Sequence, residues 1–246
     1  MGPVLLLDRL SKRFGNQLAV STLSLRVDPG EIYGLIGPNG SGKTTTVKMV
    51  TGLYRPSAGR ILVDGIDLLT SPEAGKRRIG YIPDEPFVYE KMSGREFLHL
   101  VGELYGVPEQ ERNRKIEEIL PHYPIGEILD QYVENYSRGN RQKVAIIASL
   151  LHAPRLLIVD EPIVGLDPES AIRTRELLKR FAEEGGAVLL STHTLAFAEA
   201  LCHRVGLLRN GCLVRDGTLS ELRQVAGIGE ASLESLYLHF TNSSPR

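Results

Sequence analysis

Short apolar runs in the first third of the chain predict strands. Val4 to Leu7 reads as an opening strand, and Ser11 to Gln17 as a polar turn carrying one aromatic, Phe14. Leu23-Ser24-Leu25-Arg26-Val27 alternates apolar and polar, the period of a half-buried strand. Ile32 to Ile36 is a continuous apolar run, as in a buried strand, entered through the turn Asp28-Pro29-Gly30. Thr45 to Thr51 can form a helix with Gly52 as its C-cap. Arg55 to Gly59 reads as loop and Arg60 to Val63 as a short strand closed by Asp64-Gly65. Arg78 to Pro83 reads as a further strand.

From about residue 85 to residue 151 the period becomes helical. Ser93-Gly94-Arg95-Glu96 is a capping box, and Phe97, Val101, Leu104 and Tyr105 fall on one predicted face. Pro108 opens a second helix carrying Ile116, Ile119 and Leu120. A third runs from Ser137, with Val144, Ile147, Ala148 and Leu151 on one face. Leu156 to Asp160 is then an unbroken apolar run ending in a carboxylate, as in a central parallel strand covered on both faces. A helix follows from about Pro168 to Phe181, then the strand Ala187 to Leu190 leading into Ser191-Thr192-His193. Asn210-Gly211 between two apolar runs predicts a hairpin. The pattern gives an α/β domain over 1–217, with a helical subdomain about 85–151 inserted, and a tail over 218–246. That tail is expected to hold a short helix around Ser220 to Val225 and a frayed polar end from Thr241.

Composition narrows the function. With 246 residues the chain can bury one large core or a core with a subdomain, and its net charge of −1 gives no reason to expect nucleic acid as a partner. No apolar run reaches a membrane span, and the start lacks the basic region of a signal peptide. Cys202 and Cys212 form no metal or redox pair, so the cytosol is the expected compartment.

The chemistry concentrates in Gly37-Pro38-Asn39-Gly40-Ser41-Gly42-Lys43-Thr44, which reads G-x-x-x-x-G-K-T. Alone this is also what a Gly-rich turn would show. Its place between a buried strand and a helix makes it a phosphate-binding loop, whose N–H groups and helix dipole face an anion. Lys43 would reach the β- and γ-phosphates, facing solvent when the site is empty, and the Thr44 hydroxyl would hold Mg²⁺. Asp160-Glu161 closes the apolar strand where such strands end beside the loop. Asp160 can hold Mg²⁺ and Glu161 can polarise an attacking water.

These segments resemble, in order and over nearly the whole chain, the ATP-binding subunits of ABC transporters. Gly37 to Thr44 is similar to the Walker A loop, and Leu156 to Pro162 to the Walker B strand with its catalytic glutamate. Gly165-Leu166-Asp167-Pro168 is similar to the D-loop and Ser191-Thr192-His193 to the switch histidine. Tyr136-Ser137-Arg138-Gly139-Asn140-Arg141-Gln142 resembles the signature segment. The resemblance implies a phosphate-loop cassette with a mixed and parallel β core, an antiparallel β part and an inserted helical subdomain. It implies Glu161 and His193 as catalytic residues, and Phe14, Gly37 to Thr44, Thr45, Asp84, Ser137, Gly139 and Asp160 as nucleotide-binding residues. Thr44, Asp84 and Asp160 would serve the metal. The cofactors implied are ATP and Mg²⁺. The partners implied are a second ATP-binding subunit, the same or different, and a transmembrane permease subunit that would hold the chain on the cytoplasmic face of the membrane.

Two positions depart from the family's usual pattern. Asp84 stands where a glutamine is usual, and Arg138 replaces the first signature glycine. The surface from Asp84-Glu85-Pro86 would meet the permease, and this segment and the tail resemble ABC-2 exporters. A soluble ABC ATPase and a non-hydrolysing regulatory cassette are the alternatives at this point.

Overall fold

The computed structural model describes residues 2–123, 125–163 and 165–242. The end of the tail expected to fray, from residue 243, lies outside the described residues. Four strands, β1 (Leu5–Phe14), β2 (Gln17–Val27), β4 (Ala58–Val63) and β5 (Ile66–Asp67), form an antiparallel sheet in the order β2-β1-β4-β5. The second sheet holds β3 (Ile32–Ile36), β6 (Ile79–Ile82), β7 (Leu156–Asp160), β8 (Ala187–Thr192), β9 (Arg204–Arg209) and β10 (Cys212–Gly217). Its order is β10-β9-β3-β8-β7-β6, parallel except for the β9–β10 hairpin. The helices are α1 (Lys43–Val50), α2 (Pro72–Lys76), α3 (Gly94–Leu104), α4 (Glu109–Ile119), α5 (Arg138–Leu150), α6 (Pro168–Glu183), α7 (Leu195–Leu201), α8 (Leu219–Ala226) and α9 (Leu233–Asn242).

The unbroken apolar strands are explained by cover on both faces. Leu156 and Ile158 of β7 and Leu189 of β8 face a core shared with the antiparallel sheet and with Val47, Met49 and Val50 of α1. Their neighbours Leu157, Val159, Val188 and Leu190 face the opposite way, onto Val144 and Ile147 of α5, Leu178 of α6 and Phe197 of α7. The side-chain period of two along a strand thus builds a layered α/β body around one buried sheet.

Several sequence expectations are corrected here. Ser11 to Phe14 is not a turn; it continues β1, which pairs with β2 as far as Phe14↔Gln17, so only Gly15 and Asn16 make the turn. Hydrogen bonding to neighbours on both edges carries β1 through its polar residues. On α3 the capping box is present, but Leu104 is exposed and Leu98 fills the core beside Phe97. Tyr105 stacks on His152, with ring centroids 3.7 Å apart. The tail is folded further than its polarity suggests. Leu233, Leu236 and Phe240 of α9 pack with Leu222 of α8, Ala198 of α7 and Val205 and Leu207 of β9, and Thr241 is buried. Among the described residues no helix is long and apolar enough to cross a membrane.

Candidate active site

Parallel register brings four strand ends together. Ile36 of β3 lies opposite Thr192 of β8, Asp160 of β7 opposite Ser191, and Ile82 of β6 opposite Val159. The loops leaving β3, β7, β8 and β6 therefore emerge on one side, where open α/β sheets bind ligands.

The first of these loops is the glycine-rich segment into α1. Gly42 caps α1 at φ 107°, and a Cβ there would meet the Ala19 carbonyl oxygen at 2.8 Å. At Gly37 a Cβ would meet the Leu208 carbonyl oxygen at 2.4 Å. Only glycine fits at either position. No side chain caps α1, so its first N–H groups are left to an anion. The Ser41 hydroxyl is buried without a partner among the described residues. Lys43 does not face solvent as expected from the sequence. It is 6% exposed, and its ammonium donates to the carbonyl oxygens of Gly37 at 2.7 Å and Pro38 at 3.2 Å. A buried ammonium costs too much unpaired, and the loop's own carbonyls satisfy it. Burial lowers its pKa, against the opposing charges of Glu161 and Asp160.

Beside this loop lies an open pocket of about 470 Å³ lined by Phe14, Gln17, Leu18, Ala19, Asn39, Gly40, Gly42, Lys43, Thr44, Thr45 and Asn210. Phe14, 44% exposed at the end of β1, is one of the residues that line this space. Leu18 and Ala19 carry no site signal in the sequence, and Asn210 carries only that of a hairpin. They reach the pocket because the β1–β2 turn and the β9–β10 hairpin meet the loop, with Ser21 N–H donating to Gly211 O and Gly211 N–H to Ser41 O.

Asp160 and Glu161 are both buried at the end of β7. Asp160 has its pKa raised, first by burial and then by the charges of Glu161 and Asp84, while the Ser191 hydroxyl and Lys43 oppose the shift. Glu161 has a left-handed backbone, φ 48°, which is uncommon for a residue with a Cβ and re-aims its side chain at the turn out of the strand. Its carboxylate accepts from Thr192 Oγ1 at 2.8 Å, from His193 N–H at 2.8 Å, and lies 2.6 Å from His193 Nδ1. Two oxygens of one carboxylate thereby fix the start of the loop after β8, while the His193 side chain stays more than half exposed. Thr192, read from the sequence only as part of a motif, is a buried member of this cluster.

Asp84 stands close enough to Asp160 for its charge to be felt there. Its carboxylate accepts from the Arg138 guanidinium at 2.9 Å, because the arginine that replaces the usual glycine is within reach of it. Ser137 caps α5, accepting from Asn140 N–H at 3.2 Å, and a Cβ on Gly139 would meet the Gly165 carbonyl oxygen at 2.8 Å. Two further ties hold this end of α5: Gln142 donates to Pro83 O at 3.1 Å, and Lys143 lies 3.0 Å from Asp167 at the start of α6. Neither Ser137 nor Gly139 lines the pocket beside the phosphate loop.

Mg²⁺ bound to a nucleotide is held by one or two protein oxygens, phosphate oxygens and water. The buried carboxylate of Asp160 near Lys43, with the Thr44 hydroxyl at the loop, fits that demand. The fold and these groups define a phosphate-loop nucleotide-binding cassette. The family model described as ABC transporter matches residues 20–164. The chain is 36% identical over 222 residues to the ABC-type transporter ATP-binding protein EcsA of Bacillus subtilis, covering 90% of each chain. It is 32% identical to the linearmycin resistance ATP-binding protein LnrL of the same organism, over 93% of this chain and 77% of that one. A solved structure of an ATP-binding subunit of an ABC transporter superposes with TM-score 0.93 at 36% identity, over 97% of this chain and 99% of that one. The chain belongs to the ABC transporter family, as one of its ATP-binding subunits.

Proposed function

We propose that the chain hydrolyses ATP as the motor of an exporter, with Glu161 as the general base. The observation that carries this reading is the Glu161 carboxylate, one residue beyond Asp160 at the strand end and held by Thr192 and His193. The base of the nucleotide lies against Phe14 in the open pocket, and the phosphates lie in the cradle of Gly37 to Thr45. Lys43 exchanges the carbonyls of Gly37 and Pro38 for phosphate oxygens. Thr44 and Asp160 would hold Mg²⁺, which would offset the negative charge of the phosphates.

Glu161 takes a proton from the attacking water, and its bonds to His193 and Thr192 fix the direction of the accepting oxygen. His193, oriented through Nδ1, presents Nε2 to the γ-phosphate side. Asp84, whose charge is felt at Asp160, would serve the metal beside Thr44 and Asp160. Ser137 and Gly139, outside the chain's own pocket, serve the nucleotide of a second ATP-binding subunit. The Asp84-Glu85-Pro86 surface, with the exposed Phe87 and Tyr89 beyond it, docks on a separate transmembrane subunit at the cytoplasmic face. Similarity to a linearmycin resistance protein supports efflux as the direction of transport.

The test is steady-state ATPase activity of the purified chain with Mg²⁺, alone and with its membrane partner. Phosphate release that is lost in Glu161→Gln and stimulated by the partner is expected. A wild-type chain that binds ATP and releases no phosphate with its partner present would make it a regulatory cassette instead.

A further inference from the structure

Beside Phe14, outside the residues that line the pocket, the structure assembles a second aromatic and two cations. Tyr54 meets Phe14 edge to face, with centroids 5.4 Å apart and ring planes at 74°. Lys12 Nζ lies 5.0 Å from the Phe14 centroid and 5.6 Å from that of Tyr54, and it donates to the Arg55 carbonyl oxygen at 2.7 Å. Lys48 of α1 lies 5.4 Å from the Tyr54 centroid. Phe14 lines the pocket, while Tyr54 and Lys12 do not.

We infer that Tyr54, with Lys12, is a positioning residue for nucleotide binding: it holds the Phe14 ring at the angle at which its free face receives a purine base. The inference rests on the proposed stacking role of Phe14. An exposed aromatic at a strand end has free rotamers, and fixing one of them before the ligand arrives removes an entropic cost of binding. An edge-to-face partner fixes a ring by its quadrupole, and a cation near the ring adds a second constraint. Lys12 is itself tethered to Arg55 O, so the ring is braced by groups that are already ordered.

Tyr54 follows α1 by four residues, with its N–H donating to Lys48 O. One short helix therefore starts at the lysine that meets the phosphates, and the ring that braces the base platform follows four residues past its end. The phosphate and base subsites are set relative to one another by α1. A triphosphate without a base uses only the first subsite, which separates the contribution of Tyr54 from that of the loop.

The experiment measures KM and kcat for ATP, and the Ki of inorganic tripolyphosphate as a competitor, in the wild type and in Tyr54→Ala, Tyr54→Leu, Tyr54→Phe and Phe14→Ala. Tyr54→Ala and Tyr54→Leu should raise the ATP KM about three- to tenfold, the range of an aromatic pair, with kcat and the tripolyphosphate Ki unchanged. Tyr54→Leu keeps the bulk and removes the ring. Tyr54→Phe should restore the wild-type KM, since the ring edge and not the hydroxyl makes the contact. An unchanged KM in Tyr54→Leu, beside a raised KM in Phe14→Ala, overturns the role of Tyr54 and leaves Phe14 as the platform. An unchanged KM in Phe14→Ala overturns both. Equal rises in the ATP KM and the tripolyphosphate Ki would place the effect of Tyr54 in the phosphate loop, which also overturns the inference.

Discussion

The Arg138 guanidinium donates to the Asp84 carboxylate at 2.9 Å and to the Asp84 carbonyl oxygen at 3.2 Å, joining the two positions at which the chain departs from its family's usual residues. An unusual acid and an unusual base 54 positions apart thus meet as an ion pair. The arginine stem also lies against Gly165, where a Cβ would be 3.1 Å from its Cδ. One side chain therefore spans the loop after β6 and the turn before α6, and it points back onto its own chain. Both partners are about half exposed, 48% and 46%. A pair so solvated contributes at most about 1 kcal/mol. Asp84→Asn, Arg138→Met and the double variant, compared by urea denaturation, should give a coupling within that range that shrinks in high salt. A coupling of several kcal/mol would mean that the pair, rather than the Ser137 cap and the buried face of α5, holds the segment.

Glu161→Gln keeps the shape of the side chain. Its oxygen can still accept from His193, and its amide can donate to Thr192 Oγ1, which already accepts from Thr194 N–H and so can act as an acceptor. The fold should be unaffected while the base is lost. Turnover is expected to fall at least ~10²-fold with ATP binding retained. Phosphate release near the wild-type rate would remove Glu161 from the chemistry.

Lys43→Ala has two expected effects. ATP affinity falls because the cation that meets the phosphates is gone. The nucleotide-free protein also melts lower, because the carbonyls of Gly37 and Pro38 lose their donor and a buried stem is replaced by a void. Differential scanning fluorimetry with and without MgATP separates the two. A variant with an unchanged melt in the absence of nucleotide would mean that Lys43 is not seated on those carbonyls in solution.

The strands of the parallel sheet were legible in the sequence because each is an apolar run too short for a helix and closed by a turn or a charged residue. The hairpin at Asn210-Gly211 was legible for the same reason. The phosphate loop and Asp160-Glu161 were legible because their chemistry is local in the sequence. What was hidden depends on contacts between distant segments. Ser11 to Arg13 are polar, and pairing of β1 with β2 and β4 makes them strand. Leu98 and Leu104 are equally apolar, and only the packing of α3 on α4 and α5 selects Leu98. The burial of Lys43 and the capture of Asp84 by Arg138 both depend on where a long side chain finds a partner, which no local pattern encodes.

His152 follows α5, with its Nε2 2.9 Å from Ile79 O and its Nδ1 buried without a partner among the described residues. Burial lowers its pKa to about 4, below the ordinary value of 6.5. The folded chain therefore resists a proton that the unfolded chain accepts. The sign follows: this group costs nothing above about pH 6.5, and stability falls as pH drops from there to about 4. His152→Phe keeps a ring against Tyr105 and cannot titrate. It should be less stable than the wild type at pH 7, with the gap narrowing toward pH 4.5 in urea titrations. A gap that stays constant over that range would show that His152 is not buried in its neutral form.

The last expectation is that MgATP closes two ATP-binding subunits on each other. Ser137 and Gly139 sit at the start of α5, tied to the loop after β6 and to Gly165, while Lys43 and Phe14 line a separate pocket on the same chain. A second chain packed head to tail would bring its helix start, with the Ser137 hydroxyl and free N–H groups, onto that pocket. The γ-phosphate then gains its second set of contacts only in the closed state, which gives ATP and not ADP the differential affinity that closure requires. Arg138 is drawn toward Asp84, back onto its own chain. Because Glu161→Gln arrests hydrolysis, it should accumulate dimers with MgATP and remain monomeric with MgADP in sedimentation velocity at tens of micromolar protein. Ser137→Arg in that background should prevent closure by placing bulk and charge where the phosphate must fit. Its lost cap costs about 1 kcal/mol, so a thermal melt must first show that the double variant is folded. A Glu161→Gln protein that stays monomeric at saturating MgATP would exclude the homodimer, and a different ATP-binding subunit would then be the partner to test. Dimerisation unaffected by Ser137→Arg would take the start of α5 out of the interface.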